Sequence, residues 1–462
     1  MNFIKIITKN GEMRFGKAVL VLAVLFFWGA LCFGEEESLE EQIRQMKARI
    51  EALEKKLSEC NEYIKEQGIS ITKQRQKIEE YENKLLQFSQ ESQRQVSAPI
   101  SNEKGLTINA GITTVVQGTD NTNATEKKKE NETGASYSAD ITVEKKFEEI
   151  KSEVFLHLET GQGLGLEDEL TLYSNVNRDA NNDTYIKIAE VWYEQSFCDD
   201  KVWLTFGKLD PTVYFDENEV ANEETTQFLG RIFRNNPTIE FPDNTAGIKL
   251  TLAPLEWLEL NYGLFDANSD WEKIGDNLFN IGQVTFKPRF FERDGNYRLF
   301  TWYNNLYHTK WLDATNTKEG AYGFGLSVDQ KISDSLTVFT RYGWQNPKVY
   351  NPNITTTGGG LNYSLEHSLS GGVQLEGRPW GRERDILAFA IGEAIPSGDY
   401  KKADASRRAK NEGHFETYYN IHVNDHLSIS PDFQYIWNPF GKDVTDDTDT
   451  IFVYGLRTQV DF

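Results

Sequence analysis

Seven charged residues lie close together in the segment 209–245, and their types suggest an electrostatic task. The acids come first and the bases follow: Asp216, Glu217, Glu219, Glu223, Glu224, Arg231 and Arg234. Acids that face bases across a narrow opening create a field that sorts small polar solutes. A connector this long also needs a reason for its length. We expect 209–245 to fold into a water-filled opening and narrow it; the alternative is an external loop packed on a neighbouring subunit.

A second set of candidates combines aromatic rings with polar groups. Rings can stack on the apolar face of a sugar, while carboxylates, guanidinium groups and hydroxyls bind its hydroxyl groups. The candidates are Glu190, Trp192, Glu194, Trp203, Arg341, Glu416 and Tyr418. Three of them form the pattern ExWxE at 190–194. The alternative for each residue is an ordinary place in a polar wall.

Other kinds of chemistry find little support in the sequence. The six His form no HExxH pattern, and the glycines of ETGQGLGLE (159–167) do not open a helix after a Rossmann-type strand. The acidic run at 443–449 could hold a cation, but such a run is more typical of a solvated loop. No nucleophile–base pair stands out. We predict no enzyme activity, no metal site and no cofactor.

Composition narrows the class of protein that must position these residues. The chain has 462 residues, only 39% hydrophobic and 13% aromatic, with a net charge of −22. No stretch after residue 34 has the roughly 20 apolar residues that a helical membrane bundle needs. The acidic balance argues against a nucleic-acid partner, and the aromatic content argues against disorder. The acidity belongs to residues 100–462, because the segments 1–34 and 35–99 carry +3 and −3.

From residue 106 to the C-terminus the sequence alternates between apolar and polar side chains. In the final stretch, one face carries Phe452, Tyr454, Leu456, Thr458, Val460 and Phe462. We count sixteen strand candidates between 106 and 462, joined by short and long connectors in turn. This pattern predicts an all-β transmembrane barrel of 16 antiparallel strands, with one face on lipid and the other on water. The alternative is a soluble β-sandwich. In the candidate strand 297–304 the choice of face stays open.

The N-terminal third is predicted to hold two other elements. Residues 1–34 read as a signal peptide, with Met1 or Met13 as the start. Residues 35–96 keep an unbroken heptad, which predicts a periplasmic α-helical coiled-coil stalk. One of its two apolar series is Ile43, Ile50, Leu57, Ile64, Ile71, Ile78 and Leu85. Residues 97–105 form the linker to the barrel, 106–462. We expect the stalk to join three subunits, with a possible contact to peptidoglycan.

Two stretches also carry a family resemblance. FGKLDPTVYFDENEVANEETTQFLGRIFRNNPTIEFPDNTAGI looks like the signature region of the carbohydrate-selective porins of the OprB type. GRPWGRERDILAFAIG and HFETYYNIHVNDHLSISPDFQYIWNPFG are similar to the closing strands of that family. The resemblance covers about residues 100–462. It implies a sixteen-stranded, trimeric sugar porin of the outer membrane, and it assigns no sugar ligand to particular residues. The coiled coil departs from the minimal family pattern.

Three functional hypotheses follow from the sequence. The first is an outer-membrane porin through which carbohydrates diffuse passively, constricted by 209–245 and surrounded by outer-membrane lipid. The second is a general or cation-preferring porin, because the barrel segment is acidic. The third is a structural tether between the outer membrane and the cell wall, because of the predicted stalk.

Overall fold

The computed structural model describes residues 105–124, 131–290, 292–443 and 450–462, and six helical positions between 44 and 58. The chain divides into two units, 1–100 and 101–462. The predicted signal peptide, almost all of the predicted coiled coil, and the linker up to residue 104 lie outside the described residues. Within the described part, no helix is both long and apolar enough to cross a membrane.

Sixteen long strands make up the wall formed by the described residues 105–462. They are β1 Leu106–Thr119, β2 Glu132–Phe147, β3 Ser152–Gln162, β4 Lys187–Phe197, β5 Val202–Leu209, β6 Thr245–Leu255, β7 Leu258–Asp266, β8 Leu278–Phe286, β9 Arg293–Lys310, β10 Glu319–Lys331, β11 Leu336–Gln345, β12 Leu365–Glu376, β13 Ile386–Pro396, β14 Glu412–Asn424, β15 Leu427–Trp437 and β16 Thr450–Asp461. Two strands of two residues, Arg289–Phe290 and Val349–Tyr350, pair with β9.

Each wall strand pairs antiparallel with the next one in the chain, and β1 pairs with β16. The closing register places Ile112 opposite Val460 and Val116 opposite Leu456. The sheet therefore has no free edge, as a spanning barrel requires. The predicted barrel of sixteen antiparallel strands is confirmed. The strand predicted at 297–304 is much longer than expected, because β9 extends to Lys310.

Alternation along the strands separates an apolar outer face from a polar inner one. On β10, Tyr322 and Phe324 are exposed, whereas Ser327 and Asp329 are buried. The open question on β9 is also answered: Leu299 and Tyr303 are exposed, and the set Arg298, Phe300, Trp302 and Asn304 is buried. Leu299 pairs with Leu326 of β10. A continuous apolar outer band of this kind suits contact with lipid.

The connector between β5 and β6 is the main irregular element inside the wall. Leu209 and Thr245 pair as the last rungs of these strands, so the connector is 210–244, two residues shorter than predicted. We call it the inward loop. It contains a short helix, α1 Arg231–Arg234, in which Ile232 and Phe233 are buried. These two side chains pack with Phe339, Ala388 and Tyr418 of the wall, so part of the hydrophobic core lies between the loop and β11–β14.

Candidate functional site

Arg341 of β11 binds the inward loop at several points. Its Nη1 donates to the main-chain oxygens of Ala221 (2.6 Å) and Phe233, and its Nη2 donates to that of Asp216 (2.8 Å). Its Nε lies 3.3 Å from the Asp216 carboxylate, and both side chains are fully buried. The fork of a guanidinium group suits several oxygens held in one plane. One wall residue thus joins three separated positions of the loop.

A carboxylate on β14 and a guanidinium on β16 hold another part of the inward loop. Glu416 accepts from the N–H groups of Leu229 (2.6 Å) and Gly230 (2.9 Å) at the start of α1. Arg457 donates to the main-chain oxygens of Glu224 (2.8 Å) and Gln227 (2.6 Å). Polar main-chain groups of a buried loop need such partners, since leaving them unpaired is costly.

The first part of the inward loop contacts the opposite wall. Asp216 N donates to Gln283 of β8 (2.9 Å), and Ser327 of β10 donates to Glu217 O (2.6 Å). Arg298 of β9 lies 3.4 Å from the Glu217 carboxylate and donates to Asp329. These partners all point inward, so the loop crosses the interior and contacts both sides of it.

The charges of the loop are largely compensated by nearby partners. Burial raises the pKa of Asp216 to about 6, against the opposing effect of Arg341. Burial also raises the pKa of Glu217, although Arg298 acts in the opposite direction. Burial would raise the pKa of Glu224 as well, but Arg234 and Arg178 outweigh it and the pKa is lowered. Glu224 and Arg234 form an ion pair within the loop.

A water-accessible cavity of about 880 Å³ lies between the inward loop and the wall formed by β1–β5 and β16. Its described lining residues include ten carboxylates, which outnumber the four Lys and Arg. The carboxylates are Asp140, Glu159, Asp179, Asp183, Glu190, Asp210, Glu223, Glu224, Asp243 and Asp461. The bases are Arg178, Lys187, Lys208 and Arg234. Amides and hydroxyls such as Asn109, Thr142 and Asn181 complete a polar surface that can exchange hydrogen bonds with a passing solute.

The structure distributes the seven charged residues predicted for a constriction over three settings. Asp216 and Glu217 are paired with the wall arginines Arg341 and Arg298. Glu223, Glu224 and Arg234 line the cavity. Glu219 is exposed and Arg231 is half-buried at the start of α1. Charges of the second group are therefore the ones that a solute in the cavity can meet.

The seven residues predicted to contact sugars separate in a similar way. Glu190 lines the cavity and accepts from Asp210 N (3.0 Å). Trp192 stacks on Phe155 at 5.0 Å, Glu194 accepts from Thr205, and Trp203 is half-buried on β5.

Arg341, Glu416 and Tyr418 differ from the expectation of open positions in the lumen. They lie buried beneath the inward loop, where Tyr418 packs edge-on against Phe228 at 5.0 Å. Their inward direction was predicted by the alternation, but the loop covers them.

Several residues with similar tasks were not among the candidates. Glu412 of β14 accepts from Tyr173 N and Ser174 N, and so binds the connector between β3 and β4. His157 lies 2.7 Å from Asp140 in the cavity wall. Arg457 shows the available signal, since a lone arginine on the inner face of the last strand suggests a buried partner, although it does not identify one. In the described part of the chain, no group of three or more His, Cys, Asp or Glu side chains is placed to hold a metal ion.

Comparisons with known proteins agree with this architecture. Residues 153–462 match the family model described as carbohydrate-selective porin, OprB family. Porin AaxA of Chlamydia trachomatis serovar L2 is 25% identical over 52% of this chain and 49% of its own length. An uncharacterised protein of Aquifex aeolicus is 25% identical over 55% of this chain and 63% of its own. The chain therefore spans about half the length of the chlamydial relative.

Among solved structures, the high-pH form of Pseudomonas putida OprB superimposes with a TM-score of 0.64 at 16% identity. The match covers 78% of this chain and 95% of that one. At this identity the likeness concerns the fold alone. The family and the closed barrel together indicate an outer-membrane location. Since the family model covers most of the barrel, from β3 to the C-terminus, the chain belongs to the OprB family of carbohydrate-selective porins.

Proposed function

We propose that the protein lets carbohydrates diffuse passively across the outer membrane, through a water-filled barrel that the inward loop narrows. The observation that carries this proposal is the attachment of the loop by Arg341, Glu416 and Arg457, which leaves the 880 Å³ cavity beside it. A fixed loop gives an opening of constant size, and a polar lining replaces the hydrogen bonds that a sugar gives up to enter.

The cavity suggests which residues meet the solute. Glu190 lines it, and Glu194, Trp192 and Trp203 stand on the adjoining strands β4 and β5. We keep these four as sugar-contact candidates. Arg341, Glu416 and Tyr418 would instead act through the position of the loop. Glu223, Glu224 and Arg234 are the loop charges that we assign to the constriction.

A liposome-swelling series tests this proposal. The purified full chain is reconstituted, and swelling rates are compared for pentoses, hexoses, disaccharides and neutral non-sugar solutes of matched size. The proposal expects faster entry of sugars than of matched non-sugar solutes, with a sharp fall beyond the size of the opening. Equal rates at equal size would contradict selectivity for carbohydrates.

A cation-preferring porin is the second candidate, and the excess of carboxylates around the cavity favours it. A lining rich in carboxylates raises the local concentration of cations. The reversal potential in a KCl gradient measures this preference. Glu190→Gln and Asp183→Asn should each move the potential toward zero, whereas an unselective wild-type channel would contradict the candidate.

We also propose that residues 35–96 assemble the protein as a trimer and reach toward peptidoglycan from the periplasm. The heptad pattern supports this proposal. Deletion of 35–99 tests it together with the tether hypothesis. A porin whose stalk only assembles the subunits should keep its conductance per barrel and lose its trimeric mass. A tether should lose attachment to the cell envelope.

A further inference from the structure

The connector between β7 and β8 carries oxygen-bearing side chains at alternate positions. Its sequence from the end of β7 is Asp266-Ala-Asn268-Ser-Asp270-Trp271-Glu272. The spacing D-x-[DN]-x-[DN] opens the calcium-binding loops of EF-hand type, in which these side chains supply the first ligands. The motif alone is weak evidence, because acidic loops are common on protein surfaces.

The environment of Asp266 is the stronger observation. Its side chain is only 1% exposed, and neither carboxylate oxygen has a hydrogen-bond partner of ordinary geometry. The N–H groups of Asp270 and Trp271 lie near it, as does the charge of Asp270. The side-chain oxygen of Asn268 is likewise buried without a partner. Buried oxygens of this kind are costly unless something binds them.

The remaining parts of the loop fit the same ligand. Trp271 occupies the sixth position with a φ of +60°, the conformation that glycine supplies in EF-hand loops. Asp270 is fixed by bonds from Glu272 N and Asn268 Nδ2, both 2.8 Å long. Ala267 N donates to Asn277 O (2.9 Å) and closes the loop at its base.

We propose that residues 266–272 form a calcium site, with Asp266, Asn268 and Asp270 as side-chain ligands and a main-chain carbonyl of the loop beside them. An all-oxygen set without His or Cys suits a hard cation rather than zinc. The site has two carboxylates, so it is outside the class of clusters of three or more His, Cys, Asp or Glu side chains. Asn277 stands where EF-hand loops place a bidentate Glu. We therefore expect weak binding, with a dissociation constant of about 10⁻⁴–10⁻³ M as in extracellular modules.

Terbium luminescence tests the proposal directly, because Trp271 lies within the loop and can transfer its excitation to a bound Tb³⁺. The full chain is refolded in detergent and freed of metal with a chelator. Tb³⁺ should give emission on excitation of tryptophan, and Ca²⁺ should displace it. Asp266→Asn and Asp270→Asn should each weaken displacement by Ca²⁺ at least tenfold. Trp271→Phe should remove the emission but keep the rise in melting temperature caused by Ca²⁺.

Asp313→Asn is the matched control, since Asp313 is an exposed carboxylate in the connector between β9 and β10, which opens at the same end of the barrel. It should bind Ca²⁺ like the wild type. Absence of both sensitised emission and a Ca²⁺-dependent melting shift would overturn the proposal. An equal loss in Asp313→Asn, or no loss in folded Asp266→Asn and Asp270→Asn, would overturn it too, because the signal would then come from general surface charge. Far-ultraviolet circular dichroism identifies a variant that has failed to fold, and the other variant then decides.

Discussion

Arg341 of the wall and Asp216 of the inward loop form a fully buried ion pair, with 3.3 Å between Nε and the carboxylate. The same guanidinium also binds the main chain of the loop at Asp216, Ala221 and Phe233. Removing one partner of a buried pair leaves an uncompensated charge and costs about 3–5 kcal/mol. The position of the loop, and with it the size of the opening, should therefore depend strongly on Arg341.

Arg341→Met is the first prediction. It leaves the carboxylate of Asp216 and three main-chain oxygens without their partner, so the loop should loosen. We expect larger and more variable single-channel conductance and a lower denaturation midpoint. Arg384→Met is the matched control, because Arg384 pairs with Asp425 in an exposed setting where little energy is at stake. Identical single-channel traces for Arg341→Met and the wild type would contradict the anchoring role.

Gly230→Ala is the second prediction, and it tests the contact between the loop and β14. A Cβ at Gly230 would lie 2.7 Å from the Glu416 carboxylate and 2.9 Å from the His414 ring. Such overpacking typically costs about 1–3 kcal/mol. We expect a displaced loop, seen as altered conductance and a lower midpoint. Gly282→Ala is the control, since nothing lies within 4 Å of the added atom; equal behaviour of the two variants would refute the close contact.

The third prediction concerns pH. Burial raises the pKa of Asp216 to about 6 from a usual value of 3.8, although Arg341 opposes the shift. Between these values the folded protein binds more protons than the unfolded chain, so this group favours folding at low pH and the benefit fades as pH rises to 6. The difference in unfolding free energy between the wild type and Asp216→Asn should change over pH 4–6 and stay flat above. A constant difference across that window would show that Asp216 does not titrate there.

The outer face provides the fourth prediction. Leu299 is 53% exposed and pairs with Leu326, whereas its neighbour Arg298 points inward to Asp329. An arginine on the lipid face near the membrane centre costs about 2–4 kcal/mol. Leu299→Arg should lower folding stability in lipid vesicles by an amount of that order, and Leu299→Ile should not. Equal stability of both variants would mean that this face does not meet lipid.

Much of the wall could be predicted from the sequence, because alternation with period two is a local property of each strand. The strand number and the alternation of short and long connectors followed from it. The full length of β9 did not, since its last residues pair with the short strand Val349–Tyr350 beyond the regular wall. The length and mixed charge of 210–244 predicted its inward course, and the contacts with Arg341 and Glu416 explain how it stays there.

The division of labour among inward residues could not be predicted in the same way. Arg341, Glu416 and Glu190 have the same polar, inward phase, yet the loop covers the first two and leaves the third at the cavity. Coverage depends on contacts between residues far apart in the chain, such as Arg341 with Ala221. The unpartnered carboxylate of Asp266 is similarly visible only once the connector is folded.

The central claim is that sugars pass through an opening set by the inward loop. Recording the ion current through single channels in a planar bilayer while sugar is added tests it most directly. The account predicts a reduction of the current that saturates with sugar concentration, and a weaker reduction in Arg341→Met. A current that falls only as much as the bulk conductivity of the solution, in the wild type and the variant alike, would contradict it.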